Sequence, residues 1–119
     1  MTPQSATVPP TNVVYPDSDG EPMAENTIQY QWIVTLAGNL DAFLPDAFVA
    51  GDLFWYPVEG EPYTRVAPDV LVAVGRPKGH RKSYLQWEEA NQPPTVVFEI
   101  WSPSNTLGAQ YKKIQFYDR

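Results

Sequence analysis

Five consecutive apolar residues, Val70-Leu71-Val72-Ala73-Val74, constrain this chain more than any other segment. An unbroken apolar run of this length, entered through Pro68-Asp69 and left at Gly75, suits a central strand covered on both faces. Such a strand needs sheet neighbours and helices to cover it. From Glu25 onward Ile28, Trp32, Ile33, Leu36, Leu40 and Phe43 recur at intervals of three to four, the period of a helix with one buried face, and Pro45 ends it. Val49 to Val58 is rich in aromatic and β-branched residues and reads as a strand, with Glu59-Gly60-Glu61-Pro62 supplying hairpin-turn chemistry. Pro93-Pro94 introduces a third strand, Thr95 to Trp101, which Pro103 terminates. Ser104, Asn105 or Thr106 can cap a last helix in which Leu107, Tyr111 and Ile114 share a face. Tyr84 to Ala90 stays open between a short helix and an irregular segment.

The expected order is therefore helix, three strands, helix: an α/β domain of the α+β kind with a mixed sheet, occupying residues 17–119. Pro3, Pro9, Pro10 and Pro16, interspersed with Ser, Thr and Asn, make residues 1–16 an extended or mobile arm. A chain of 119 residues that is 43% hydrophobic holds enough apolar material for one core. With no cysteine, disulfides and thiolate metal sites are excluded, and carboxylate, imidazole and water remain as ligands. The start MTPQSATVPP has neither a basic nor an apolar leader segment, and no apolar run approaches the ~18 residues of a membrane span. A cytoplasmic protein is expected.

The net charge of −6 argues at first against a nucleic-acid partner, because phosphate binding depends on Lys and Arg. Its distribution changes that reading. Residues 1–64 carry nine acids and no Lys or Arg, whereas all eight Lys and Arg lie in residues 65–119 against five acids, giving that part +3. A locally basic face is compatible with this asymmetry, and the loop from Arg76 through Lys78 and Arg81 to Lys82 is its densest part. These four residues are candidates for phosphate contact, with a solvated basic loop as the plainer reading. His80, the only histidine, is poorly placed for a general base. Trp32, Trp55, Trp87 and Trp101 read as core or interface residues, and Ser102-Pro103-Ser104 as a cap and turn.

Glu99 is the most informative single residue, because it stands inside an otherwise apolar strand. An ionised carboxylate buried there without a partner would cost several kcal/mol, roughly, so it must be neutralised, paired or given a metal. Asp69 opens the apolar run at Val70. If the two strands are neighbours, at ~4.8 Å spacing, both carboxylates can converge on one cation. A structural ion pair for Glu99 and a simple Pro-Asp turn for Asp69 are the competing readings.

The segments Tyr15-Pro-Asp-Ser-Asp-Gly-Glu-Pro-Met-Ala-Glu-Asn-Thr27, Val66-Ala-Pro-Asp-Val-Leu-Val72 and Val97-Phe-Glu-Ile-Trp-Ser-Pro-Ser-Asn-Thr106, then Lys113 and Tyr117, resemble in order and spacing the Uma-type restriction endonucleases of the PD-(D/E)xK nuclease superfamily. The resemblance implies a restriction-endonuclease-like core: a helix, a three-stranded meander, a second helix and one more strand. It implies Asp69 and Glu99 as metal-binding acids, Glu25 as a further acidic member, and magnesium or manganese as the cofactor. Trp101 stands where the superfamily's usual lysine would be. In Uma-type sequences that lysine is similar to one displaced fourteen residues beyond the glutamate, here Lys113, with Lys112 about 100° away around the helix. Two departures accompany this: Ala109 stands where an Asp is frequent, and the expected final strand is not included. A C-terminally truncated domain, as a fragment, a short gene product or half of an intertwined homodimer, is the corresponding expectation. Metal-dependent hydrolysis of DNA is the expected activity, and an inactive nuclease-fold binding or assembly module is the alternative.

Overall fold

The computed structural model describes residues 13–17, 27–101 and 107–118. Helix α1 spans Thr27–Phe43, followed by strands β1 (Ala47–Gly51), β2 (Trp55–Tyr56), β3 (Val70–Val74) and β4 (Tyr84–Leu85). A short 3-10 helix (Gln86–Glu88), strand β5 (Val96–Phe98) and helix α2 (Leu107–Tyr117) complete the order. The main sheet runs β1-β3-β5, antiparallel throughout, and the apolar run at Val70–Val74 is its central strand. Its first four residues are buried, as a strand covered on both faces requires. Together the two helices, the antiparallel sheet and a small parallel β2-β4 pair make an α+β fold.

The single strand expected over Val49–Val58 is two separate strands. Asp52 adopts a left-handed backbone (φ 52°), and its N–H bonds the Asp69 carbonyl at 2.9 Å. That break turns the chain away from β1, so Trp55–Tyr56 pairs with Tyr84–Leu85 instead of extending the main sheet. The expected turn does form: Trp55 and Val66 exchange backbone hydrogen bonds across it, with Gly60 at φ 87°. Phe48, Leu71, Ala73 and Tyr84 form the core on one face of the sheet, with Leu53, Trp55 and Val97 packed against them.

Helix α1 covers the other face through part of the expected stripe, with Ile33 buried and Leu36 and Leu40 half-buried. Gln29 and Ile33 are its buried residues, while Ile28, Trp32 and Phe43 are exposed. The helix is apolar around much of its circumference, so spacing alone does not choose the side that meets the sheet. Close approach at Gly51 makes the choice: a Cβ built there would sit 2.8 Å from Ile33 Cγ2. Helix α2 departs from its expected face. Tyr111 and Ile114 are exposed, whereas Lys113, Phe116 and Tyr117 are the partly buried residues. The N-terminal segment is anchored at Tyr15 and Pro16, where Tyr15 packs on Tyr56 and Trp87 and the Tyr56 hydroxyl donates to the Pro16 carbonyl.

Candidate functional site

Pairing of Val70 with Phe98 and Leu71 with Val97 continues, in antiparallel register, to set Asp69 opposite Glu99. Alternation puts both on the sheet face that carries Leu71 and Val97. Backbone N–H groups reach the two carboxylates reciprocally, with a short bond to Asp69 and a long one to Glu99. Asp69 N–H donates to Glu99 Oε2 at 3.2 Å, and Ile100 N–H donates to Asp69 Oδ2 at 2.6 Å. Each acid is thus aimed by the other's strand, the arrangement that ordered carboxylates need in a site built on rigid elements. Gln29, buried on α1, donates to the Ile100 carbonyl at 3.2 Å and ties the first helix to this strand end.

Lys113 arrives from α2. Its Nζ donates to Glu99 Oε1 at 2.6 Å and to the Ala67 carbonyl at 3.0 Å, with both side chains of the ion pair partly buried. Lys112, its neighbour, is exposed. One helical turn beyond Lys113, the Tyr117 hydroxyl donates to Glu99 Oε2 at 2.7 Å. Burial, then the negative charge of Glu99 and this hydrogen bond, push the Tyr117 hydroxyl far above its ordinary range, so it keeps its proton and acts as a donor. Its ring lies parallel to Trp55, 6.5 Å between centroids and 6° between planes.

Asp69, Glu99 and Lys113 are therefore brought together. Their formal charges sum to −1, and the two acids offer only oxygen donors, the set suited to a hard divalent cation. Among the described residues no group of three or more His, Cys, Asp or Glu is arranged to hold a metal, and Glu25 lies outside the described residues. The sequence alone assigns no role to Tyr117 or Gln29. The signal for Tyr117 was its spacing of four from Lys113, which puts both on one helix face.

The basic loop occupies the other end of β3, roughly 20 Å of strand from Asp69 at about 3.3 Å per residue. Its cations are largely engaged. Arg76 and Arg81 both bind Glu89, at 3.1 and 2.6 Å, and the Arg81 guanidinium lies 3.9 Å over the Phe48 ring. Lys78 bonds Asp41 and the Ala47 carbonyl, each at 2.7 Å. Lys82 and His80 are exposed.

The family comparison matches residues 10–119, nearly the whole length, to the Uma2 model, whose description is "Putative restriction endonuclease". The chain belongs to the Uma2 family. Uma2 membership agrees with the α+β architecture and with a restriction-endonuclease-like core. No curated protein and no solved structure matches this Uma2 chain. Among its described residues no helix is long and apolar enough to cross a membrane.

Proposed function

We propose that this Uma2 chain is a metal-dependent endonuclease that hydrolyses DNA phosphodiester bonds. The single observation that carries the reading is the contact of Lys113 with Glu99 beside Asp69: two carboxylates at neighbouring strand ends, each reached by a backbone N–H, and one ammonium from a helix. Asp69 and Glu99 would hold magnesium or manganese, with water and a phosphate oxygen completing the shell. When bound, the ion polarises the scissile phosphate and stabilises charge on the leaving oxygen. Lys113, as an ammonium, would orient the attacking water, and its positive charge would favour loss of the water's proton to solvent. Glu99 holds Lys113 in place for that task, and the Ala67 carbonyl fixes the ammonium from a second direction. Water adds to phosphorus as its proton passes to solvent, the bond from phosphorus to the sugar oxygen breaks, and the sugar oxygen takes a proton from solvent to leave as a hydroxyl.

A second reading, a nuclease-fold binding or assembly module without activity, is favoured by one observation: Glu99 already receives three donors, from Lys113, Tyr117 and Asp69. Supercoiled plasmid DNA separates the two. With magnesium or manganese the protein is expected to nick or linearise the plasmid, with activity abolished by chelator and by Asp69→Asn or Glu99→Gln. A plasmid left intact with both ions overturns the endonuclease reading in favour of the module.

A further inference from the structure

The nuclease reading gives Tyr117 no task, yet Tyr117 makes a contact at least as short as that of the backbone. Its hydroxyl lies 2.7 Å from Glu99 Oε2, the oxygen that also accepts the longer, 3.2 Å bond from Asp69 N–H. Lys113 takes the other oxygen at 2.6 Å. The terminal torsion of a glutamate is broad and nearly two-fold, so a carboxylate rotates unless it is held at both oxygens. One long backbone hydrogen bond is a weak restraint on that rotation.

We infer that Tyr117 is a positioning residue: its hydroxyl fixes the Glu99 carboxylate so that Oε1 stays on Lys113, and Trp55 in turn fixes Tyr117. The ring of Tyr117 is clasped rather than free, because Trp55 lies parallel to it and Phe116 stands edge-on to Trp55 at 5.6 Å. Trp55 is itself anchored by its indole N–H, which donates to Gln86 Oε1 at 3.0 Å. A line of contacts thus runs from the short 3-10 helix through β2 and α2 to the acid. Groups that orient metal ligands in this way are commonly worth ten- to a hundredfold in metal affinity or activity. A tyrosine held only for packing would contribute through its ring, and loss of its hydroxyl would leave the site unchanged.

This inference rests on the proposed nuclease activity, and the test keeps the two apart. Manganese affinity, from the paramagnetic signal of the free ion, is measured on the full chain, with kcat and KM on plasmid DNA and the metal-free Tm. Tyr117→Phe keeps the ring and removes the hydroxyl. It is expected to weaken manganese binding and to lower kcat by roughly tenfold or more, with KM for DNA unchanged. Trp55→Ala should move the same quantities in the same direction, and Trp55→Phe, which restores an aromatic face, should recover most of the loss. Tyr111→Phe, on the exposed side of α2, is the unaffected control. If Tyr117→Phe lowers Tm but leaves manganese affinity and kcat at wild-type values, the hydroxyl is structural and the inference fails alone. A wild-type protein that neither binds manganese nor cuts overturns both readings.

Discussion

Glu89 and Glu99 are two acids drawn out of water beside one sheet, and they are satisfied in opposite ways. Glu89, with a side chain only 8% exposed, receives Arg76 and Arg81. That cluster has a formal charge of +1, Arg81 is tied further to the Gly79 and Pro77 carbonyls, and Phe48 lies under the Arg81 guanidinium. Glu99 receives one lysine, one neutral hydroxyl and one backbone N–H, with a second carboxylate, Asp69, alongside. That cluster is short by one positive charge. A buried acid that is over-compensated holds a loop to the sheet, whereas one that is under-compensated and braced by backbone has room for a further cation. Burial alone does not distinguish the two, but the count of charges around each does.

The largest expected effect separates the partners of Glu99 from their neighbours. Lys113→Ala should lower cleavage by roughly 10²- to 10⁴-fold, the usual range for a group handling the proton of a nucleophile, while Lys112→Ala changes it little. Manganese-induced stabilisation should survive in both, since lysine is not a metal ligand. The reverse pattern in plasmid assays would shift the helix register by one residue and undo the contact on which the reading stands.

Stability is expected to invert the ranking of the two glutamates. Glu89→Ala strands two arginines and should cost about 3 kcal/mol in denaturant unfolding. Glu99→Gln should cost no more than about 1 kcal/mol without metal, because relief of repulsion with Asp69 offsets the lost lysine contact. Manganese at a hundred times its Kd should add about 2.7 kcal/mol to the wild type, keep that increment in Glu89→Ala and lose it in Glu99→Gln. Equal costs in metal-free protein, or equal responses to manganese, would erase the contrast.

The smallest effect concerns DNA. With Arg76, Lys78 and Arg81 engaged in ion pairs within the chain, Lys82 is an exposed loop cation outside those pairs and open to phosphate. Lys82→Ala should reduce the slope of log affinity against log salt by about 1 and leave cleavage of bound DNA unchanged. No change in slope would remove the loop from the DNA-binding face.

The parts of the fold written in unbroken patterns were legible in the sequence. Val70–Val74 is the central strand because nothing in it tolerates water, and β5 follows from the same logic, though it ends at Phe98 rather than Trp101. The break at Asp52 had a local signal, Gly51-Asp52, but the aromatic and β-branched content of Val49–Val58 as a whole masks it. The buried stripe of α1 matches expectation only at Ile33, Leu36 and Leu40, and that of α2 does not match at Tyr111 and Ile114, because each helix carries apolar residues on more than one side and Gly51 and Glu99, on other elements, meet the side that docks. Within the site, Asp69 and Glu99 were visible as acids beside apolar runs, but Lys113 was reached only through family resemblance, because no local rule joins residues fourteen apart across a strand and a helix. Nothing in the sequence next to Glu89 marks it for burial. Its burial depends on arginines whose approach no local pattern announces.

The central claim is that the charge missing beside Glu99 is supplied by a divalent cation. A crystal soaked in manganese tests it most directly, through the anomalous difference map. The expected result is a peak within about 2.5 Å of carboxylate oxygens of both Asp69 and Glu99, absent from a Glu99→Gln crystal and absent beside Glu89. Lys113 still seated on Glu99 Oε1, with no peak between the two acids at saturating manganese, would contradict the account and leave Glu99 as a structural ion pair.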